Sequence, residues 1–488
     1  MLSSLTSSTI VIKKDVCIIG GGAAGTYAAL RLRDAGKTVA IVERSRKLGG
    51  SNRATPSPTL LRDSEVTRKY YDRFKIGLET KKLTSLSDKA KTFQVIDFDK
   101  GMPIPPEKYD VDGLPLPTKL RESFKGSIAP EALQFWEEQL PQFNTSTEPV
   151  DVPKRAKGEP KVKPKPAMGD QPFGIIQGGY RNAIGTIANN FCKGYGDIYK
   201  LPLVNLARNF GPSTLRGLKD GFLMPEDINN DKLYHLAQQE LKDDVLFNCT
   251  PVKAITQENR ISITVRDQAA PFQVPSEVTI QADKCLITIP PFEGSLDFLD
   301  LSKYQNRILS GFRYAGYWTM TVRNTYLRED IHFMGGTCFG AKEHALSRKA
   351  KSHRPWQAIY DIKPTGVPGA FQLEFGFDGT LNVDAQRTKQ YIEDALRRLW
   401  TNSSTLFLPG TKVEDIQPVF DHARLHHPYG ARVDKRANVS YDYKFNNMMH
   451  KHIFSDNHLV FGGAAFCGSQ DASLIWEETE KLVRDRLL

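Results

Sequence analysis

The sequence predicts an α/β fold with a parallel sheet at its centre, and three observations carry that expectation. VCIIG (16–20) is a short apolar run ending in glycine, TVAIVE (38–43) is a second run ending in an acid, and Ala23 to Ala35 between them has helical spacing. Ala28, Ala29 and Leu32 fall on one side of that helix, and Gly36 closes it. Strand, helix and strand in this order make a βαβ unit, the opening of a Rossmann-like domain.

The glycines of the unit say what it is built to hold. Gly20, Gly22 and Gly25 satisfy G-x-G-x-x-G, for a tight turn, a close backbone approach to a pyrophosphate, and close packing of helix on strand. Ala24 lies in the first turn of the helix, where free N–H groups and roughly half a positive charge face an anion. Glu43, 18 residues after Gly25, can accept both ribose hydroxyls in charge-assisted hydrogen bonds. The same carboxylate would repel a 2′-phosphate. Arg44 follows, and Gly49 and Gly50 stand where a chain without side chains could pass close to the far phosphate and the ribityl arm. That second pair of glycines extends the fingerprint beyond a simple NAD site, and the expected cofactor is FAD.

At this point the chain resembles the flavin amine oxidase superfamily, which includes monoamine and polyamine oxidases and phytoene desaturases. Three later segments resemble that family in order. Gly178-Gly179 precede a helical pattern in IIQGGYRNAIGTIANNF (175–191). After the helix-like EDINNDKLYHLAQQELKDD (226–244), the runs VLFNCTPVKAI, ISITVRD and QVPSEVTIQADKCLITIPP read as a meander, with Ile261, Ile263 and Val265 alternating with polar neighbours. The resemblance implies that the Val252 backbone meets the adenine and that Pro290-Pro291 marks the exit into a second domain. HLVFGGAAFCGSQDASLIWEETEKLV (458–483) reads as strand, glycine turn and helix. The resemblance puts Gly463, Ala464 and Phe466 at the flavin, with a helix N-terminus toward its pyrimidine edge. GAAF (463–466) with LIWEETEKL is similar to a fungal branch, flavoproteins like β-cyclopiazonate dehydrogenase.

The implied architecture is a discontinuous FAD-binding domain from residues 1–60, 170–291 and 440–488. An inserted α+β substrate-binding domain takes 61–169 and 292–439, giving a flavin amine oxidase-like fold. In the insert, YWTMTVRN (317–324), WQAIYDI (356–362) and FQLEFGF (371–377) read as strands, and DAQRTKQYIEDALRRLW (384–400) as an amphipathic helix. The active site is expected between the two domains.

Composition narrows the class. With 488 residues, 40% hydrophobic and 25% charged, the chain is that of an ordinary globular protein with room to bury a large cofactor. MLSSLTSSTIVI lacks the pattern of a secretory signal, so a cytoplasmic location is expected, and no transmembrane segment is read. The net charge of +10 is uneven: PKRAKGEPKVKPKP (153–166) has six bases and one acid, within a Pro/Lys-rich loop at about 145–169. A solvated loop explains that run without a nucleic-acid partner. The six cysteines show no CxxC pair and read as small buried hydrophobes. Cys467 is a candidate for covalent flavin attachment on position alone; the expectation is a flavin released by acid.

FAD carries hydride or electron transfer, and the protein supplies orientation, electrostatics and exclusion of water. One dinucleotide fingerprint occurs, and GGTCFG (335–340) lacks the spacing of a second, so O2 is the expected electron acceptor. Amine oxidases of the family place a lysine on the first strand after the proline exit. The comparable GFRYAGYWTMTVRN offers Tyr317 or Trp318 and no lysine, which counts against simple amine oxidation. A bulky aromatic there suits dehydrogenation or oxidative cyclisation of a small, largely apolar natural product. DHARLHHPYG carries His422, His426 and His427, any of which is a candidate base or a packed side chain, while Pro428 and Gly430 argue against a helical metal site. No catalytic residue is assigned. Two alternatives share the architecture: a redox-neutral flavin isomerase of an unsaturated fatty acid or polyene, and a flavin-free binding module similar to Rab GDP-dissociation inhibitors.

Overall fold

In chain order the strands are β1 (Ile10–Ile19), β2 (Val39–Glu43), β3 (Leu78–Lys81), β4 (Thr92–Asp97), β5 (Met102–Pro103) and β6 (Phe222–Pro225). Next come β7 (Val245–Phe247), β8 (Cys249–Gln257), β9 (Arg260–Asp267) and β10 (Glu277–Ile287). The last six are β11 (Phe312–Arg323), β12 (Ile331–Gly335), β13 (Gln357–Pro364), β14 (Phe371–Asp378), β15 (Val419–Val433) and β16 (Leu459–Phe461). They belong to a computed structural model that describes residues 10–53, 59–81, 92–104, 130–142, 191–226, 230–257, 259–268, 277–335, 357–378, 385–433 and 451–488, with single positions between them. The Pro/Lys-rich loop and Gly178-Gly179 lie outside the described residues.

The opening unit is β1, helix α1 (Ala23–Asp34) and β2, as the apolar runs predict. β1 starts at Ile10, ahead of the apolar run, because its first half pairs with β10 from Ile10 opposite Val278 onward. The first sheet has the order β7-β2-β1-β10, with β16 and β9 sharing the far side of β10 and β8 beyond β9. Strands β7, β2, β1, β10 and β16 are parallel, and β8, β9 and β10 form the antiparallel meander. Period-two alternation feeds two cores. Cys17, Ile19, Val42 and Cys285 face one, while Val16, Ile18 and Ile41 face Ala28, Ala29 and Leu32 of α1 in the other. Each large apolar side chain buried this way contributes roughly 1.5–3 kcal/mol. Helix α2 (Glu65–Arg73) adds Tyr70 and Tyr71 to the second of these cores, so it packs with the first sheet, beyond the boundary read at residue 60.

The second sheet has the order β15-β11-β14-β13-β12-β4-β5. One face carries Trp318, Met320 and Val322 of β11 with Phe371, Leu373 and Phe375 of β14, packed on Ile392, Leu396 and Leu399 of the covering helix Ala385–Ser403. The spacing of those helical residues is that of one apolar stripe, as read from the sequence. Trp318 is therefore core, and Tyr317, one residue earlier, turns to the opposite face.

The two sheets are tied at both ends. The Tyr314 hydroxyl donates to the Pro291 carbonyl at 3.2 Å, just past β10. The Arg424 guanidinium on β15 donates to the carbonyls of Arg53 at 2.7 Å and Gly50 at 2.8 Å, just past β2.

Candidate cofactor and substrate site

Parallel pairing puts the C-terminal ends of β2, β1, β10 and β16 at one edge of the first sheet, and the glycines gather there. Gly20 ends β1 with φ +103°, and a Cβ on it would stand 2.7 Å from the Thr288 hydroxyl, just past β10. A Cβ on Gly25 would stand 1.9 Å from the Gly20 carbonyl, so helix and turn touch backbone to backbone. Gly49 donates its N–H to the Gly21 carbonyl at 2.8 Å, and Gly50 packs on Gly22, a Cβ there lying 3.2 Å from the Gly22 Cα. Gly463 follows β16 with φ +86°, its Cβ position 2.8 Å from the Thr288 carbonyl. Gly22 differs from all of these: a Cβ on it would meet no described atom within 4 Å. It is the N-cap of α1, whose first turn, including Ala24, has no side-chain cap and no acid. An open face beside uncapped N–H groups fits a pyrophosphate.

Glu43, 8% exposed, holds the turn from β2: Oε2 accepts the Gly21 N–H at 2.7 Å and Oε1 the Ser45 N–H at 2.8 Å. Arg44 beside it is exposed. The Ser45 carbonyl accepts the Asn248 N–H at 3.2 Å, which brings the start of β8 alongside. Val252 is half-buried and falls in a bulge, since Pro251 pairs with Val265 and Lys253 with Thr264. A bulged residue leaves the ladder and frees its backbone groups for a ligand.

After β16 the chain makes two helices where the sequence reading expected one. Ala464–Cys467 is a single turn ending at Gly468, which has φ +66°, and the C-terminal helix Ala472–Leu482 starts afresh. Its N-terminus is already capped by Asp471, whose Oδ1 accepts from Ser473 at 2.8 Å, while Oδ2 accepts from Arg62 Nε at 2.7 Å. Arg62, 5% exposed, also donates to Ser213 Oγ and the Arg208 carbonyl, pinning three segments. The Phe466 ring packs against Phe312, Phe454 and Phe461, so the side chain serves the core. Cys467 is buried, its Sγ 3.6 Å from the Ala464 carbonyl and 3.5 Å from that of Ser469, either of which can accept its single S–H, and burial pushes its pKa up to about 12. A thiol held protonated there is a poor nucleophile.

The remaining part of the site is the polar face of the second sheet. DHARLHHPYG runs along β15, with His422 exposed and His426 buried; the His427 side chain lies outside the described residues. His426 Nε2 is 3.2 Å from the Thr319 hydroxyl, and its ring centre is 5.7 Å from that of Tyr317. Burial first, then the nearby Arg424 cation, bring its pKa down to about 4, so the imidazole is neutral at pH 7. Beside it lies a buried ionic cluster. Lys193 bonds Glu374 and, at 3.1 Å, Asp361; Lys363 is 3.6 Å from both carboxylates, and His332 bonds Asp361. Burial opposes the Glu374 charge, and Lys193 and Lys363 override it, bringing its pKa to about 2. Among the described residues no set of three His, Cys, Asp or Glu is arranged to hold a metal ion.

Sequence reasoning singled out the glycines and Glu43 and did not single out Arg62, Thr319, Glu374 or the Lys193 cluster, whose partners are far away in the chain. The Thr319–His426 contact spans 107 residues and the Arg62–Asp471 contact 409.

The fold is flavin amine oxidase-like, and the relatives make the chain an FAD-dependent oxidoreductase. A family model described as FAD dependent oxidoreductase matches residues 15–104. The chain is similar to β-cyclopiazonate dehydrogenase of Aspergillus oryzae, 28% identical over 384 residues that cover 75% of this chain and 74% of that protein. Further fungal FAD-dependent oxidoreductases match at 22 to 26% identity. Among solved structures, a fatty acid isomerase from P. acnes superposes with TM-score 0.64 at 13% identity, over 97% of this chain and 99% of that one. Putrescine oxidase does so with TM-score 0.58 at 13% identity, over 98% and 100%. At such identities these two speak for the fold alone. The chain is an enzyme and its cofactor is FAD. The flavin-free binding-module alternative is set aside by these relatives. No described helix is long and apolar enough to cross a membrane.

Proposed function

We propose that the enzyme dehydrogenates or oxidatively cyclises a small, largely apolar natural product, with O2 as the electron acceptor. The observation that carries this reading is the course of β15. Arg424 touches the Gly50 and Arg53 carbonyls past β2, whereas Ala431 packs in the core with Phe461 and Ala465 at β16. At about 3.3 Å per residue those two points are roughly 23 Å apart. His426 lies between them, with Thr319 and Tyr317 beside it.

In the proposed pose FAD lies along the edge in strand order. The ribose sits at Glu43, with Arg44 alongside, and the adenine against Val252. The pyrophosphate lies over Gly20, Gly22, Ala24 and Gly25, with Gly49 and Gly50 close by. From β2 to β16 is three strand spacings, about 14 Å, so the ring falls beyond β10, near the backbone of Gly463, Ala464 and Phe466. The domain partition at 1–60, 170–291 and 440–488 against 61–169 and 292–439 stays a proposal of the same standing.

Bound FAD supplies the two-electron acceptor. The protein supplies the rest: Tyr317 gives a flat apolar wall, and the two sheets exclude water. His426, neutral and oriented by Thr319, takes the proton that leaves the substrate. The absence of a lysine on β11 supports carbon rather than amine oxidation. A relative named as a dehydrogenase of β-cyclopiazonate supports a natural-product substrate. A cytoplasmic setting is supported by five described cysteines that are free and buried.

The test is an absorbance spectrum of the purified protein, followed in air after anaerobic photoreduction. Bands near about 375 and 450 nm, with rapid recovery and hydrogen peroxide formation, are expected. A colourless protein that FAD does not reconstitute overturns the cofactor assignment. Slow recovery overturns the oxidase reading and favours double-bond isomerisation.

A further inference from the structure

A buried helix between the two sheets carries an amide that nothing among the described residues satisfies. Helix Leu203–Asn209 is buried at every position. Leu203, Leu206 and Ala207 face a core with Trp136, Phe173 and Phe210, and Val204 joins the core that holds Phe461 and Ala465. Asn209 turns to the C-terminal segment: its Nδ2 donates to the Gly468 carbonyl at 3.2 Å, and its Oδ1 accepts from the Ser469 hydroxyl at 2.8 Å. At 100° per residue, Asn205 projects between Val204 and Asn209, away from Leu203 and Ala207. It is thereby bracketed by Val204, which shares a core with Ala465, and by Asn209, which touches Gly468 and Ser469.

Asn205 is 0% exposed, and among the described residues neither its Oδ1 nor its Nδ2 has a hydrogen-bond partner. An unsatisfied buried polar group keeps its desolvation cost uncompensated, and this side chain has two. A buried amide left this way calls for an explanation, and a ligand that completes it is one. A carboxamide pairs a donor with an acceptor, and the pyrimidine edge of an isoalloxazine presents carbonyl oxygens beside an N–H.

We propose that Asn205 is a cofactor-contact residue whose carboxamide hydrogen-bonds the isoalloxazine ring of FAD. The assignment rests on the reading that places the ring beyond β10, toward Gly463. It takes no part in proton transfer; it fixes the ring from the side opposite the adenosine half.

The experiment compares the wild-type protein with Asn205→Leu, close in volume, and Asn205→Asp, which keeps the shape but loses the N–H donors. Each is stripped of flavin and titrated with FAD and, separately, with ADP, which carries only the adenosine and phosphate part. For both variants the expected result is at least tenfold weaker binding of FAD with unchanged binding of ADP. The flavin-free Asn205→Leu protein should melt no lower than wild type, because an unsatisfied amide has been removed. Unchanged FAD affinity in both variants overturns the proposal. An equal loss of FAD and ADP binding overturns it too, since the change then acts on the fold or the adenosine half. A wild-type protein that binds neither nucleotide fails the cofactor assignment instead, which keeps the two failures apart.

Discussion

Glu43 shows how a single carboxylate links the fold to the ligand. Both its oxygens already accept backbone N–H groups, from Gly21 and Ser45, so the side chain sets the turn whether or not a ribose is present. Charge-assisted bonds of this kind contribute about 1.5–3 kcal/mol each. Glu43→Ala is expected to raise the FAD dissociation constant at least tenfold and to lower the melting temperature of the flavin-free protein. Unchanged flavin occupancy after purification would leave the acid with its role in the turn alone. His426 makes a pH prediction with a definite sign. Its pKa falls from an ordinary 6.5 to about 4 in the fold, so the unfolded chain binds the extra proton between those values. The stability it contributes is complete above pH 6.5 and is lost as pH falls toward 4, on the order of 3 kcal/mol. Denaturant titrations from pH 7 to 4 should show that slope in the wild type and a shallower one in His426→Gln. The same variant should lower turnover by about 10²-fold or more if the imidazole takes the substrate proton.

The glycine turn and α1 form an element in which neighbouring glycines have different jobs. At Gly25 an added methyl meets the Gly20 carbonyl, whereas at Gly22 it enters open space at an ordinary φ of −74°. Gly25→Ala should therefore lower the melting temperature of the flavin-free protein, with loss of soluble yield. Gly22→Ala should leave that temperature within experimental error and weaken FAD binding at least tenfold, because the methyl occupies the pyrophosphate's approach. Calorimetry and FAD titration on both variants separate the two outcomes. The sequence makes this element legible because every part is local: an apolar strand, a periodic helix and glycines at fixed spacing. It is less informative at the C-terminus, where GGAAFCGSQDAS looks like one glycine turn into one helix. Asp471, which restarts the helix, reads as an ordinary polar residue until its ion pair with Arg62 is seen.

At the scale of the whole molecule, the two sheets meet across polar groups that composition gives no reason to bury. Lys193, Asp361 and Glu374 look like solvated surface residues in the sequence, yet the carboxylates are 2% exposed on the inner face of the second sheet. Their pairing brings a turn residue to two strands 168 and 181 residues away, which no local pattern encodes. Lys193→Met should destabilise the protein by about 3–5 kcal/mol, since two buried anions lose their shared cation. Adding Glu374→Gln should recover part of that loss, as read by the chemical denaturation midpoint. The βαβ opening, the meander and the covering helix were legible in outline, because alternation and helical periodicity survive in any context. Which face of β11 looks inward was not, since Tyr317 and Trp318 are adjacent aromatics and packing alone chooses between them. β15 has one further consequence, for the solubility of pieces of the chain. It is 15 residues long and pairs along one side only, with β11, while the Gly50, Arg53 and Gly194 backbones lie against it. A fragment carrying the second sheet without the first would bare that strand as a template for sheet extension between molecules. The first sheet thus acts as a built-in cover against self-association of the second.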